Sequence, residues 1–167
     1  GIDLGTSSVK TILIDENQNT LASKTETISI ENPQNGYYEQ DPEQWYQATV
    51  RCFSFLKKQK PREFAETLAL SISGQMHGAT LLDKEAKILR SCILWNDTRS
   101  SKECDEMEEK CLNLREISGN IAMPGFTAPK VLWVKNNEPE IFKKIDKVLL
   151  PKDYLRFRLS GEFVTDT

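Results

Sequence analysis

The first thirty residues alternate between strand and turn chemistry, and this order limits the folds that the chain can adopt. Residues 9–14 form a short run rich in β-branched and apolar side chains, which indicates a strand. Residues 15–19 are acidic and amide residues typical of a turn, and residues 20–29 alternate well enough for a second strand. A Rossmann unit would place a helix after its first glycine turn, so this strand–turn–strand opening argues against that fold.

The remaining sequence predicts a mixed α/β fold, in which helices flank a sheet and do not alternate strictly with strands. The clearest helix has Asp41 as its cap, Pro42 at its first position and an end in the basic stretch 57–60. Further helices are expected at 100–112, 127–136 and 138–145 and from Pro151 onward. Further strands are expected at 68–73, 80–82, 91–95, 147–150 and 161–164.

Composition excludes several classes of function. The net charge of −3 comes from interleaved acidic and basic residues, with no basic run suited to nucleic acid. No apolar stretch approaches the roughly 20 residues that a membrane span needs. The four cysteines form no Cys-x-x-Cys pair, and the single histidine cannot complete a zinc set. We therefore expect reduced thiols and a cytoplasmic protein that binds neither nucleic acid nor membranes.

A turn at the start of the chain concentrates groups that can bind phosphate. Gly5 allows backbone N–H groups to converge, Thr6 and Ser7 add hydroxyl donors, and Asp3 could hold a hydrated magnesium ion. The alternative is a plain hairpin turn, because the same residue types are common in turns. The residues alone leave both interpretations open.

A second polar segment, residues 74–78, follows a predicted strand and suits a polyol ligand. Gln75 and His77 offer hydrogen-bond donors and acceptors, while Met76 supplies an apolar wall. A simple turn is an equally good interpretation. A lone histidine is more often a structural residue or a hydrogen-bond partner than a catalytic base.

Two further segments contain candidate residues that also have simpler explanations. Trp95 and Asn96 end a predicted strand, which is where open α/β folds place ligands, but the segment 96–98 could also cap the next helix. Phe126 lies in a break before the helix predicted at 127–136. Its ring could line a pocket or fill the core.

Six segments, taken together and in this order, resemble the FGGY family of carbohydrate kinases, and within it the xylulokinase branch. They are residues 1–7 (GIDLGTS), 39–45 (EQDPEQW), 74–83 (GQMHGATLLD), 93–97 (ILWND), 123–130 (MPGFTAPK) and 149–155 (LLPKDYL). The first is shared loosely by many kinases. The third and fifth are more specific to xylulokinase-like members.

The resemblance implies an actin-like ATPase architecture of two ribonuclease-H-like domains, with residues 1–167 forming most of the N-terminal, sugar-binding domain. The nucleotide-binding domain and the general-base aspartate are then expected outside this chain, and the chain alone is expected to be inactive. The resemblance also implies ATP and Mg²⁺ as cofactors. It assigns Asp3 and the 5–7 turn to phosphate and metal, and it assigns Met76 and His77 to the sugar. Gln75, Trp95, Asn96 and Phe126 become neighbours of the sugar.

The reaction implied by the resemblance is ATP-dependent phosphorylation of D-xylulose to D-xylulose 5-phosphate. A related kinase acting on ribulose or glycerol is the first alternative, and the segment 75–77 should decide between these substrates. A non-catalytic actin-like nucleotide-binding module is the second alternative. A homodimer of the longer protein is compatible with each of these, although the sequence does not fix the oligomeric state.

Overall fold

The computed structural model describes residues 1–166, along which strands and helices are mixed. The strands are β1 (Ile2–Leu4), β2 (Ser8–Ile14), β3 (Thr20–Thr27), β4 (Glu39–Gln40), β5 (Ile72–Gly74), β6 (Thr80–Leu82), β7 (Cys92–Ile93) and β8 (Lys147–Leu149). The helices are α1 (Pro42–Gln59), α2 (Pro61–Ala65), α3 (Ser101–Lys110), α4 (Leu114–Ser118), α5 (Thr127–Asn137), α6 (Pro139–Phe142) and α7 (Pro151–Ser160). The predicted α/β class is confirmed.

The chain folds into two compact units, each built from separated stretches of sequence. The first unit contains residues 1–30 and 42–75 and the stretch from Lys152 onward. The second unit contains residues 31–41 and 76–151. The candidate site residues are therefore distributed over both units.

The first unit is a four-stranded sheet in the order β3-β2-β1-β5. The two strands predicted around the first turn are β2 and β3, which pair antiparallel; β1 adds to β2 antiparallel, and β5 adds to β1 in parallel. One face of the sheet buries Leu4, Val9 and Leu13. Helix α1 packs on this sheet because its residues at helical spacing, Trp45 and Cys52 among them, are fully buried.

The second unit is organised around two short antiparallel pairs, β4–β7 and β6–β8. Its core is a cluster of Ala79, Leu81, Ile93 and Val134, all with no exposed surface. Val134 comes from α5, the helix that the sequence predicts at 127–136. This core fixes the strand ends from which the polar loops of the second unit extend.

Three predicted elements differ from the structure. Residues 161–164 are not a strand, because Phe163 stacks on Phe157 of α7 at 4.2 Å between ring centroids and the segment folds back. The strand predicted from residue 68 begins only at Ile72, after an exposed stretch in which Leu68 packs against nothing. The strand predicted at 91–95 is reduced to Cys92–Ile93.

No helix within residues 1–166 is both long and apolar enough to cross a membrane.

Candidate functional site

The turn between β1 and β2 is held by backbone hydrogen bonds at both ends. The Gly5 N–H donates to the Ser8 carbonyl oxygen at 2.9 Å, and the Ser7 carbonyl oxygen accepts from the Ile28 N–H at 3.0 Å. A Cβ on Gly5 would lie 3.2 Å from the Ser8 carbonyl oxygen. The role of Gly5 is therefore to allow this tight turn, since its N–H is already bonded. The exposed Ser7 offers a hydroxyl donor for phosphate at this turn.

A row of polar side chains crosses the exposed face of the first unit's sheet. Asp3 on β1 is in register with Lys10 on β2 and with Ser73 on β5, and all three are exposed. Residues in register on adjacent strands project on the same face. Among residues 1–166, the Asp3 carboxylate has no hydrogen-bonding or ion-pairing partner. The row therefore offers a carboxylate for a metal ion next to an ammonium group for phosphate.

The end of β5 lies against the end of β1, and a glycine is required there. Gly74 is in register with Leu4, and a Cβ at Gly74 would lie 2.7 Å from the Leu4 Cβ and 2.8 Å from its carbonyl oxygen. The next N–H, that of Gln75, donates to the Leu4 carbonyl oxygen at 2.7 Å. Gln75 is buried at this position. The carboxyl ends of the parallel strands β1 and β5 thus meet beside the turn at residues 5–7, as in other open α/β sheets that bind ligands.

In the second unit, His77 occupies the centre of a γ-turn with an unusual backbone conformation. The Gly78 N–H donates to the Met76 carbonyl oxygen at 2.8 Å, and the φ angle of His77 is +61°. Such turns are rare, and a residue held in this region costs about 1–3 kcal/mol. Gly78 is needed because a Cβ there would lie 2.6 Å from a Pro151 ring carbon. Strained backbone of this kind concentrates at binding sites.

Two residues at the start of α5 contact His77: Phe126, which precedes the helix, and Thr127, its first residue. The ring of Phe126 lies 4.9 Å from the His77 ring, measured between centroids and at a tilt of 50°. The Thr127 hydroxyl donates to the His77 carbonyl oxygen at 3.1 Å. Burial lowers the pKa of His77, and the nearby positive charge of Lys130 lowers it further. At neutral pH the imidazole is therefore uncharged and can both donate and accept a hydrogen bond.

The segment after β7 presents an aromatic surface and a buried acceptor. Trp95 is 43% exposed. The Oδ1 atom of Asn96 is buried and accepts no hydrogen bond from residues 1–166. A buried acceptor without a donor is costly, which makes this amide a candidate for binding a hydroxyl group. The capping alternative for segment 96–98 is wrong, since the N-cap of α3 is Ser100.

A network of charged side chains that the sequence did not reveal fixes the same segment. The Asp97 carboxylate accepts from the Tyr38 N–H at 2.7 Å and pairs with the Arg99 guanidinium at 2.7 Å. Arg99 also contacts Glu39 at 2.6 Å, and Glu39 in turn pairs with Arg90. The side chains of Asp97 and Arg99 are 0% and 1% exposed. No local signal marks this network, because its members are up to 60 residues apart.

Phe126 lines an apolar cavity of about 230 Å³ in the second unit. His77, Met107 and Ile121 also line it, so the aromatic pair forms one of its walls. The two interpretations of Phe126 from sequence are thus resolved. Its ring lines a pocket and is only half-buried.

The site residues fall into two groups. Asp3, the 5–7 turn and Gln75 belong to the first unit, where strand pairing brings them together. Met76, His77, Trp95, Asn96 and Phe126 belong to the second unit, where Phe126 contacts His77 directly. Met76 is 45% exposed and follows Gln75 in the chain. Each group combines hydrogen-bonding side chains with a backbone that only glycine permits at a key position.

Comparison with known proteins identifies the family to which this domain belongs. The model of the FGGY family of carbohydrate kinases, N-terminal domain, matches residues 1–167. The chain therefore belongs to the FGGY family of carbohydrate kinases.

Individual relatives include a xylulose kinase from Escherichia coli, which is 54% identical over 99% of this chain and 34% of its own length. A crystal structure described as a xyloylose kinase from Brucella ovis matches with a TM-score of 0.93 at 52% identity. It covers 97% of this chain and 34% of that protein. A gluconate kinase from Lactobacillus acidophilus matches with a TM-score of 0.88 at 27% identity, over all of this chain and 34% of its own. The chain spans about a third of the length of the curated relatives that it matches.

Proposed function

We propose that this chain is the N-terminal, sugar-binding domain of a kinase that transfers the γ-phosphoryl group of ATP to the terminal hydroxyl of D-xylulose. The products are D-xylulose 5-phosphate and ADP. The observation that carries the proposal is the 54% identity with a xylulose kinase over almost the whole chain. Membership of a carbohydrate-kinase family favours this function over a non-catalytic actin-like module.

The residues of the first unit fit the phosphate end of MgATP. Asp3 would hold the magnesium ion through water, since its exposed carboxylate has no other described partner. Thr6 and Ser7 would donate to the γ-phosphate, and Lys10, in register with Asp3, would neutralise part of its charge. MgATP supplies the phosphoryl group and a metal ion that neutralises charge as it is transferred. The contribution of these residues is positioning and electrostatic stabilisation.

The residues of the second unit fit a ketopentose. Met76 and Trp95 provide exposed apolar surface for the carbon edge of the sugar. The His77 imidazole and the buried Asn96 carbonyl oxygen provide directional partners for hydroxyl groups. Phe126, whose ring contacts His77, would complete the surroundings.

The resemblance to the family implies an aspartate as general base on the attacking hydroxyl, which we place in the part of the kinase outside this chain. The resemblance to the family assigns His77 to hydrogen bonding with the sugar, and Phe126 and Thr127 contact this residue. The ATP-binding domain is likewise assigned to the remainder of the longer protein. The chain covers only 34% of the length of its xylulose kinase relatives, which leaves room for both.

A gluconate kinase is the second candidate, because one such enzyme has a closely similar fold. Gluconate carries a carboxylate, which is normally matched by a cation. The candidate sugar residues Met76, His77, Trp95, Asn96 and Phe126 carry no positive charge at neutral pH. This lack of charge favours the neutral ketopentose.

The test is a coupled kinase assay on the complete protein that carries this chain. D-xylulose, D-ribulose, glycerol and gluconate are compared at equal concentrations. The highest kcat/KM for D-xylulose supports the proposal. A higher kcat/KM for any of the other three contradicts the substrate, and no ATP turnover with any of them contradicts the kinase function.

A further inference from the structure

Lys130 is a fully buried lysine whose ammonium group is bound only by backbone. It lies in the first turns of α5 and has no exposed surface. Its Nζ donates to the carbonyl oxygens of Pro124 at 2.8 Å and Phe126 at 3.0 Å, and also to that of Gly125. Among residues 1–166, no carboxylate lies within ion-pairing distance of this nitrogen. Three successive carbonyl groups therefore converge on one buried cation.

This arrangement is expensive for a residue that only fills space. Burial lowers the pKa of Lys130 to about 8, and the charge of Asp97 acts in the opposite direction. The position near the N-terminus of α5 is also unfavourable for a cation, because the helix dipole is positive there. An apolar side chain of similar length would avoid both the burial of a charge and the unfavourable interaction with the helix dipole. At pH 7 the amine still carries its proton, so the charge is retained despite its cost.

The backbone that the ammonium holds is the support of the sugar-site residues of the second unit. Gly125 lies so close to Trp95 that a Cβ would be 3.0 Å from the Trp95 carbonyl oxygen. The next residue, Phe126, places its ring against His77, and Thr127 bonds the His77 carbonyl oxygen. Each of these contacts is made by a residue of the segment 124–127. A shift of this turn would therefore move the surroundings of His77.

We propose that Lys130 is a positioning residue of the sugar site. Its ammonium group fixes the 124–126 turn, and the turn holds Phe126 and Thr127 against His77. Lys130 itself is fully buried and touches no ligand. The role in sugar binding depends on the proposed function, whereas the control of His77 by Lys130 does not.

The single histidine of the chain gives a direct readout. Because the Phe126 ring lies 4.9 Å from the His77 ring, its ring current should shift the His77 ring-proton NMR signals of the 167-residue protein. Lys130→Met removes the ammonium at nearly constant volume, and Lys135→Met removes an exposed lysine of the same helix as the matched control. We expect the His77 signals to move toward those of a free histidine in Lys130→Met only, with the dispersed core methyl signals retained. Unchanged His77 signals in a folded Lys130→Met protein would overturn the proposal.

A titration of the unsubstituted protein gives an answer even if Lys130→Met does not fold. Deprotonation of Lys130 near pH 8 should shift the His77 signals, well above the pH at which His77 itself titrates. The other charged or titratable groups around Lys130 are Asp97, Arg99, Cys92 and Cys104. Asp97 and Arg99 form an ion pair, and burial raises the pKa of both thiols, to about 12 for Cys92. Absence of any alkaline inflection in the His77 signals while the protein stays folded would contradict the proposal.

Kinetics of the complete kinase separates this inference from the proposed function. In Lys130→Met we expect the KM for the sugar to rise about tenfold, with kcat at saturating sugar and the KM for ATP within about twofold of the parent. A fall in kcat together with a similar rise in the KM values for the sugar and for ATP would indicate a general structural defect and contradict a positioning role. If the parent enzyme does not phosphorylate D-xylulose, the proposed function fails, while the NMR result still decides the role of Lys130.

Discussion

Asp3 and Lys10 lie directly opposite each other on the first two strands of the sheet, on its exposed face. The pair follows from the short turn at residues 5–7, which sets the register of the two strands. It places a carboxylate for a metal ion and an ammonium group for phosphate in neighbouring positions. This relationship is the structural basis of the proposed phosphate site.

Replacement of either residue should impair phosphoryl transfer and spare sugar binding. We expect Asp3→Asn in the complete kinase to lower kcat by about 10²–10³-fold, because one preorganised electrostatic group is lost. Lys10→Met should raise the KM for ATP. The coupled assay measures both, and calorimetric titration of D-xylulose should give the parent affinity.

Lys58→Met, which removes an exposed lysine of α1, is the matched control and should behave like the parent. A fully active Asp3→Asn enzyme would exclude Asp3 from the metal and phosphate site.

Gly74 should not tolerate a side chain. A Cβ would meet both the Cβ and the carbonyl oxygen of Leu4, and the backbone of β1 cannot yield without loss of strand pairing. We expect Gly74→Ala to lower the free energy of unfolding by about 1–3 kcal/mol, as overpacking does elsewhere. Ser71→Ala, at an exposed neighbouring position, should change it by less than about 0.5 kcal/mol. Equal denaturation midpoints for the two variants would disagree with the described contact.

The state of His77 should make stability depend on pH. Burial holds the pKa of His77 below its usual value, so the unfolded chain takes up this proton first as the pH falls. The free energy of unfolding should therefore decrease as the pH is lowered from about 6.5 through the pKa of the folded state. His77→Gln lacks this contribution. Chemical denaturation of both proteins at pH 7 and pH 5 measures the difference, and a parallel loss in the two proteins would argue against it.

The buried ion network should be sensitive to removal of one partner. Asp97→Ala leaves the Arg99 guanidinium buried with fewer partners and removes the acceptor of the Tyr38 N–H. We expect a loss of about 3–5 kcal/mol in the free energy of unfolding. Glu140→Ala removes an exposed pair with Lys143 and should cost at most about 1 kcal/mol. A small effect of Asp97→Ala in thermal denaturation would show that the network is dispensable.

The sequence was sufficient where the signal is local. Helix α1 follows from Pro42 and from buried residues at helical spacing, and the opening meander follows from two strand-like runs around a turn. The predicted strand at 161–164 is wrong because Phe163 finds its partner, Phe157, on the preceding helix. Periodicity in a four-residue segment cannot distinguish ladder pairing from such packing.

The candidate site was predictable only in part, for the same reason. The polar loops at 5–7 and 75–77 stand out by composition. Lys10 is visible only once the strand register is known, and Lys130 only once three carbonyl groups are seen to converge on it. Both are ordinary lysines in the sequence, and their roles arise from contacts that the folded chain creates.

The proposed function depends most on the binding of the sugar by the loop of Met76 and His77. Calorimetric titration of D-xylulose into the complete kinase, compared with a Met76→Ala/His77→Ala variant, tests it directly. We expect the double variant to lose at least about tenfold in affinity for D-xylulose, equivalent to about 1.4 kcal/mol, and to retain its affinity for ATP. Unchanged D-xylulose affinity in the folded double variant would contradict the binding of the sugar by this loop.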